Sequence, residues 1–520
     1  MSRIRTNTIA LGTSFFATAF LAFIQVKIIT NFLDQGSVGI WSAVIAIGAL
    51  LTSVSEMGLP WVLVRYGAKY DAENRLARLS KLWFFAVRMS GLGVLVMLGI
   101  LILAGPELAN LLGEGQIDRR LLMLGYLTVA TGSLRAFNNA SFRGLRRMIA
   151  VAAVEISFAL TVTLLWYVFR HDLSVTRVFT ISLLSSLFWA GVGIFILLRI
   201  YSRVRAKALP EVLSGSVVPE IKGYWRGAAA SGIFLVAIEQ LDKPLLAALI
   251  SFDELAVFHV ASRLALFARR LMYVPFQVMN PEITHKWESG RRDELRADME
   301  LFSKLTLGLG LLLVVLLGVF ARPLLLLIST SEFLGGAPVL WVFTAVLPLL
   351  CLHQPMVMFL RATGRVWYSF VGDASWLILY LGVGSLLVTR FGLPGFVSGQ
   401  IVASSVILVY NLVVFHRLGL PRPSNEFFLK RVLLGAVVWS ASMFAGRALP
   451  DWSWWQLVLL AGGLGLIGNF LVVRGRFLSP AEEDRAVAMM AGRGMAGRVV
   501  RYLFTWPYGG SRPVAPRGEG

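Results

Sequence analysis

The chain has 520 residues, 57% of them hydrophobic, and a mean hydropathy of +0.72. A soluble chain contains about 45–50% apolar residues, so this composition excludes an ordinary soluble protein. The formal charge of +20 would suit a nucleic-acid-binding protein, but the basic residues lie in short segments between apolar runs. The single cysteine, Cys351, excludes a disulfide framework within the chain. We therefore predict an all-α polytopic membrane protein without a nucleic-acid partner.

Apolar runs of about 20 residues, the length that crosses a bilayer as a helix, recur along the chain. The run that follows the first five residues is too long for the core of a signal peptide and predicts a first membrane helix. In all, the runs predict fourteen membrane helices: 8–33, 37–64, 82–104, 121–142, 147–169, 176–199, 225–250, 254–280, 303–328, 335–360, 365–389, 394–416, 428–448 and 454–474. The connections are mostly short, which makes neighbouring helices antiparallel.

Basic residues concentrate in alternate loops between these predicted helices. The loops on the opposite side carry far fewer lysines and arginines. The basic segments are 65–81, 143–147, 199–226, 286–296, 361–365 and 417–431. Because positive charge marks the cytoplasmic side of a membrane protein, this bias predicts that both termini are cytoplasmic. The charged segment 282–302 predicts a separate cytoplasmic helix.

The chain also repeats itself weakly, at a nearly constant offset. The offset aligns Gln25 with Asp242 at 217 residues, and both Arg143 with Arg361 and Glu155 with Asp373 at 218 residues. Six helices separate the copies, so the copies cross the membrane in the same direction, as in transporters built from parallel repeats. We predict a six-helix lobe at 1–212, a second at 213–420, two appended helices at 421–475 and a basic cytoplasmic tail at 476–520.

Charged residues interrupt the seventh predicted helix. Glu239, Asp242 and Lys243 lie in the middle of its apolar run. A charge at such a depth costs roughly 2.5–3.5 kcal/mol on insertion scales, so these side chains are expected to face a protein interior or a watery cavity. One interpretation is a self-neutralising pair, because Glu239 and Lys243 are four residues apart on one helix face. The other is a transport site.

Further ionisable residues lie inside other predicted helices. Cations outnumber acids among them, so a shared cavity would attract an anion that bears phosphate or carboxylate, and arginine suits phosphate oxygens. Residues near helix ends can instead extend to the headgroups. The predicted substrate-binding residues are Lys27, Arg88, Arg135, Lys243, Arg263 and Arg270.

Intramembrane acids are candidates for ion coupling. They are Glu56, Glu155, Glu239, Asp242 and Asp373. The alternative for Glu155 and Asp373 is that they neutralise Arg143 and Arg361 across a loop. The coupling ion, H+ or Na+, is left open. The sequence lacks a Gly-Lys dipeptide and therefore a P-loop, and we predict neither a catalytic residue, a metal site, a cofactor nor an enzymatic activity.

Two stretches carry a resemblance to a known family. Segment 8–43 contains Thr-Ile-Ala-Leu-Gly-Thr-Ser and, from Lys27, Lys-Ile-Ile-Thr-Asn-Phe-Leu-Asp-Gln-Gly, while segment 241–261 contains Leu-Asp-Lys-Pro-Leu and Phe-His-Val-Ala. With the layout of six, six and two helices, these stretches resemble the polysaccharide transporter (Wzx-type) branch of the multidrug/oligosaccharidyl-lipid/polysaccharide exporter superfamily. The resemblance covers nearly all of 1–420.

This resemblance implies two six-helix bundles in a MATE-like V around a central cavity. It implies a flippase that moves undecaprenyl-pyrophosphate-linked oligosaccharide across the bacterial inner membrane, for cell-surface polysaccharide, lipopolysaccharide or exopolysaccharide. The implied partners are that lipid-linked substrate, membrane lipids and a polysaccharide polymerase or glycosyltransferases.

Three other functions compete. A lipid II flippase also has fourteen helices, but this chain lacks the arginine-rich first helix expected of that branch. A multidrug/cation antiporter of the same fold would have an acid-dominated cavity. A membrane glycosyltransferase or polymerase would need a large non-cytoplasmic loop with catalytic acids, and the loops on that side of this chain are short.

Overall fold

The computed structural model describes residues 2–73, 75–113, 116–145, 147–205, 217–420 and 425–448. Within these ranges every regular element is a helix. This confirms the predicted all-α class. The predicted fourteenth helix at 454–474, the tail at 476–520 and residues 206–216 between the predicted lobes lie outside the described residues.

Fifteen α-helices occur in the described part of the chain, together with 3-10 turns at Arg170–Asp172 and Ser331–Gly335. The α-helices are α1 Ser2–Phe32, α2 Gln35–Glu56, α3 Leu59–Ala72, α4 Leu76–Gly113, α5 Arg119–Gly144, α6 Met148–Val168, α7 Val175–Arg205, α8 Val218–Gln240, α9 Asp242–Ala247, α10 Phe252–Glu288, α11 Arg292–Val319, α12 Ala321–Ile328, α13 Gly336–Ala362, α14 Val366–Arg417 and α15 Asn425–Ala448.

Nine helices of the described chain are long and apolar enough to cross a membrane. The protein is therefore a multi-pass membrane protein. Helices α5, α8 and α10 fall outside that set because each carries several charged or amide side chains, such as Arg135 and Asn138 in α5. Four of the eleven predicted site residues lie on these three helices: Arg135, Glu239, Arg263 and Arg270.

Three predicted helices are broken in the structure. The predicted helix at 37–64 divides into α2 and α3 because Met57 and Gly58 both have positive φ, and Pro60 starts the next helix. The predicted helix at 225–250 divides at Leu241 into α8 and α9, so Asp242 begins a helix instead of lying inside one. The predicted helix at 303–328 likewise divides into α11 and α12.

Two other boundaries depart from the predictions in different ways. Helix α14 contains two predicted helices, which meet at Gly392 with φ 61° and ψ −153°, a conformation open to glycine. The charged segment 282–302 does not form the separate helix that its composition predicts. Instead, α10 continues to Glu288, and α11 begins at Arg292.

The chain forms two compact units. The first contains 1–263 and 323–339, and the second contains 264–322 and the residues from 340 onward. The lobe boundaries predicted at 212 and 420 stay a prediction. In the first unit, α5 packs against α2, α3, α4 and α7, and α1 packs against α6. Its core contains the fully buried aromatic residues Phe137 and Phe142 beside Trp83.

Glycines allow the close helix contacts that position the site in the first unit. A Cβ atom at Gly58 would lie 2.2 Å from the carbonyl oxygen of Ala228, and one at Gly39 would lie 1.9 Å from the carbonyl oxygen of Phe252. The start of α2 at Gly39 therefore touches α10 at backbone distance, and the break between α2 and α3 at Gly58 touches α8.

The second unit has its core between α13 and α14. Leu352, Phe359 and Phe415 are fully buried there. Helix α15 packs against α11, with Gly446 at the carbonyl of Gly318. The described part of the predicted appended pair is thus packed into this unit.

Candidate transport site

The first polar cluster lies at the break between α8 and α9. The Lys243 side chain is buried there, and its Nζ atom donates to Asp242 Oδ1 at 3.3 Å, Gln240 Oε1 at 3.3 Å and the carbonyl oxygen of Glu239 at 3.1 Å. The carbonyls at a helix C-terminus lack intrahelical donors, and here a lysine supplies one. The carboxylate that pairs with Lys243 is thus that of Asp242, whereas Glu239 contributes its backbone oxygen.

A histidine–arginine pair on α10 lies near this cluster. Arg263 Nε donates to His259 Nε2 at 3.2 Å, so the imidazole is neutral with its proton on Nδ1. His259 is 1% exposed, and its ring contacts Trp41 of α2 edge-on at 5.1 Å between centroids. Lys243 and Arg263 both act on it electrostatically. Among the described residues, His259 Nδ1 has no hydrogen-bond acceptor.

A second cluster joins α5 to α6. Arg135 Nε donates to Glu155 Oε1 at 3.1 Å, and Asn139 Nδ2 donates to the same oxygen. The Arg135 guanidinium lies 3.5 Å from the centre of the Phe158 ring, a cation–π contact. Its Nη1 atom is buried and has no acceptor within the described chain. The structure therefore brings together two predicted residues, one from the substrate set and one from the coupling set.

Lys27 lies elsewhere in the first unit. Its Nζ atom donates to the carbonyl oxygens of Leu326 at 2.8 Å and Ser329 at 2.5 Å. These carbonyls are at the C-terminal end of α12, where a cation is favourable. The structure thus gives Lys27 protein acceptors, and its predicted role in substrate binding stays a prediction.

Three further predicted residues are less enclosed. Arg88 lies on an exposed face of α4, next to the exposed apolar side chains of Phe84 and Leu92. Arg270 is exposed on α10, and Glu56 is the half-buried last residue of α2. Their predicted roles also stay predictions.

In the second unit, Asp373 pairs across the loop between α13 and α14. Arg361 Nη2 donates to its carboxylate at 2.5 Å, and Arg361 Nε donates to Ser369 Oγ at 2.8 Å. The Asp373 carboxylate therefore neutralises Arg361 across the loop, which is one of the two predicted alternatives for Glu155 and Asp373. Glu155 departs from it, since its partner is Arg135, eight residues before Arg143.

The cations of the two clusters in the first unit are accompanied by acids. Lys243 pairs with Asp242, and Arg135 pairs with Glu155. The predicted net positive charge of a shared cavity stays a prediction. In these clusters, a bound anion would compete with a protein carboxylate for the same cations.

Sequence reasoning missed an acid that anchors α8. The Glu220 carboxylate accepts hydrogen bonds from Lys69 Nζ at 2.6 Å, Arg78 Nη1 at 3.1 Å and the Tyr70 hydroxyl at 3.1 Å. The hydrogen bond from Lys69 is the main reason that the pKa of Glu220 is lowered, and burial opposes it. The available signal was that Glu220 is one of only two acids, with Glu211, in the basic segment 199–226.

A buried ion pair in the second unit was also missed. Lys286 Nζ lies 2.5 Å from Asp298 Oδ2, and both side chains are buried. The pair joins the end of α10 to the start of α11. The charged segment 282–302 is interrupted at Gly290, which has a φ of 74°, and the ion pair links the two helix ends on either side of it.

Comparison with known proteins supports this fold. The family described as "Polysaccharide biosynthesis protein" matches residues 4–287, more than half of the chain. A membrane protein of Methanocaldococcus jannaschii, described as uncharacterized, is 21% identical over 444 residues, covering 81% of this chain and 86% of its own.

Solved structures agree with the family match. "Lipid II flippase MurJ, inward closed conformation" has a TM-score of 0.66 at 14% identity and covers 91% of this chain and 100% of its own. An inward-facing multidrug resistance MATE family transporter of the MOP superfamily has a TM-score of 0.61 at 14% identity, covering 84% and 98%. The chain therefore belongs to the polysaccharide biosynthesis protein family and has the fold of the MurJ and MATE transporters.

Proposed function

We propose that this protein is a flippase for undecaprenyl-pyrophosphate-linked oligosaccharide in the bacterial inner membrane. The family match over residues 4–287 carries the proposal. The fold, which is shared with a lipid flippase structure, is consistent with it. Both termini are cytoplasmic in this proposal, as the distribution of basic loops predicts, and the protein has no catalytic step of its own.

The buried cations would hold the pyrophosphate. Lys243 and Arg135 are each paired with a protein carboxylate, so their charges are already compensated inside the membrane. A phosphate oxygen can replace that carboxylate oxygen as the acceptor, because charge-assisted hydrogen bonds of both kinds have similar geometry. Arg135 also has a buried Nη1 donor available for such an acceptor. In this mechanism, binding exchanges one anionic partner for another.

The displaced acids provide a coupling route. When phosphate takes the cation, Glu155 or Asp242 loses that ion pair, and this loss favours uptake of H+ or Na+ by the acid. Release of the substrate then reverses the exchange. The partners in this proposal are glycosyltransferases or a polymerase, which supply or consume the substrate, and the membrane lipids that surround the protein.

Reconstituted vesicles test this function. Purified protein is placed in liposomes with undecaprenyl-pyrophosphate-linked oligosaccharide, and the fraction of sugar accessible to an external glycosidase is followed with time. We expect protein-dependent exchange between leaflets. The Asp242→Asn/Lys243→Met double variant keeps the cluster neutral and should slow exchange by about tenfold or more, the loss expected for a charge-assisted contact. Lys222→Met, which removes an exposed lysine of the preceding helix α8, is the control.

A lipid II flippase is the second candidate, favoured by the fold similarity to MurJ over the whole of that chain. The same vesicles loaded with lipid II separate the two functions. Exchange of lipid II without exchange of the oligosaccharide lipid would reject the first proposal. Failure of both, combined with drug resistance in cells that express the protein, would instead favour a multidrug antiporter.

A further inference from the structure

A hydrogen-bonded contact within the first unit ties α1 to the short helix α12. Two bonds from Lys27 Nζ reach the carbonyl oxygens of Leu326 and Ser329, as described above. The Thr30 hydroxyl, one turn further along α1, lies 3.4 Å from the carbonyl oxygen of Ile328. Side chains of one helix therefore reach three carbonyls at the C-terminal end of α12. The partners are about 300 residues apart in sequence, so the contact closes a very long loop of chain.

The chain that follows α12 lies on the same unit. Ser329 is 1% exposed and Phe333 is fully buried. A Cβ atom at Gly336, the first residue of α13, would lie 3.3 Å from the Ala261 methyl group of α10. The other side of α12 is open, because Leu326 and Leu327 are exposed. Segment 323–339 thus lies over the end of the first unit at which α1 ends. One side of the segment packs on that unit, and the other side is exposed.

The chemistry of this contact makes it reversible. A buried ion pair leaves an uncompensated charge when it breaks. Lys27 instead donates to backbone carbonyls at a helix end, which water or headgroups can satisfy when the helix moves away. A long lysine side chain can likewise extend to the membrane surface. The hydrogen bonds therefore hold α12 firmly against α1, but breaking them costs little free energy because water or headgroups replace them.

We propose that Lys27 is a latch that holds segment 323–339 closed over the outer end of the first unit, and that its release is a step of the transport cycle. The predicted topology places this end away from the cytoplasm. The latch rests on the proposed function, because it assigns the segment a role in releasing substrate on that side. It also gives Lys27 a role other than binding the substrate.

Cysteine labelling tests the latch directly. The chain contains one cysteine, Cys351, which is fully buried. A Ser329→Cys/Cys351→Ala variant carries a single thiol at the latch in place of a hydroxyl. Its reaction with a membrane-impermeant maleimide is measured in cells or proteoliposomes. We expect slow labelling with Lys27 present, and about fivefold faster labelling or more when Lys27→Met is added, because the open population rises.

Control variants separate opening from unfolding. Lys27→Arg retains donors and should label slowly, as should Asn31→Ala, since among the described residues Asn31 donates only to a carbonyl of its own helix. Cys351 in the Lys27→Met single variant should stay unreactive, because it becomes accessible only on unfolding. Equal labelling rates of the Ser329→Cys thiol with and without the Lys27→Met substitution would overturn the latch. Because no substrate is present, this result is independent of whether the vesicles flip the oligosaccharide lipid.

Discussion

Asp242 and Lys243 are adjacent in sequence and form an ion pair of 3.3 Å, with each residue less than a tenth exposed. Adjacent residues of a continuous helix point in different directions. Here the break at Leu241 makes Asp242 the first residue of α9, and Lys243 turns back to the end of α8. The pair therefore lies at the junction of α8 and α9.

Loss of one partner of this pair should destabilise the protein. Asp242→Asn leaves the Lys243 ammonium buried with neutral acceptors only, and we expect a loss of about 3 kcal/mol in the free energy of unfolding. The Asp242→Asn/Lys243→Met double variant should recover the part of this loss that comes from the unpaired ammonium. Thermal unfolding in detergent measures both variants, with the exposed Asp253→Asn as control. An equal loss in the double variant would contradict this prediction.

The two repeat-related acids should differ in their contributions to stability. The Arg135 side chain is 16% exposed in its pair with Glu155, whereas the Arg361 side chain is 44% exposed in its pair with Asp373. An exposed pair contributes about 0–1 kcal/mol, and breaking a buried one costs more. Glu155→Gln should therefore lower the unfolding temperature more than Asp373→Asn. Equal shifts would show that the burial of the arginine does not set the difference.

The Glu220 cluster should make the start of α8 sensitive to acid. The pKa of Glu220 is lowered in the folded protein, chiefly by the hydrogen bond from Lys69. The unfolded chain therefore takes up the proton first. The contribution to stability is complete above the unfolded pKa of about 4.5 and is lost as the pH falls through the lower folded value.

Hydrogen exchange over residues 218–226 between about pH 3 and pH 6 measures this effect, after correction for the intrinsic rates. Glu220→Gln should remove most of the pH dependence. Glu73→Gln is the matched control, because Glu73 pairs only with the exposed Arg75 among the described residues. A wild-type profile for Glu220→Gln would assign the effect to another group.

Gly58 should tolerate no side chain. It has φ +65°, and an added Cβ atom would lie 2.2 Å from a backbone oxygen of α8. Strain in the left-handed region costs of order 1–3 kcal/mol, and the clash adds to it. Gly58→Ala should therefore lower expression and melting temperature sharply. Gly227→Ala, in the helical interior of α8 with open space around it, should be neutral or stabilising by about 0.5–1 kcal/mol.

Hydropathy was sufficient to predict the helices of the described chain that are apolar enough to cross a membrane, because their apolar runs are long. It missed the break at Met57–Gly58, since 37–64 is apolar almost throughout, although Gly58 and Pro60 are local signals of a break. The Glu155–Arg135 pair is within reach of sequence reasoning, since both residues belong to neighbouring helices. The acceptors of Lys27 could not be predicted from the sequence. They are backbone carbonyls 299 and 302 residues away, and the side chains at those positions do not indicate such a contact.

Trp341 connects α15, the last described helix, to the rest of the second unit. Its indole Nε1 donates to the carbonyl of Gly318, its own carbonyl accepts from Trp439 of α15, and Arg447 lies 5.0 Å from its ring centre. Removing the chain after 420 would expose a buried tryptophan and leave its carbonyl without that donor. A shortened protein that ends after the twelfth predicted helix is therefore not a minimal transporter, because it would lack a helix that packs within its own second unit.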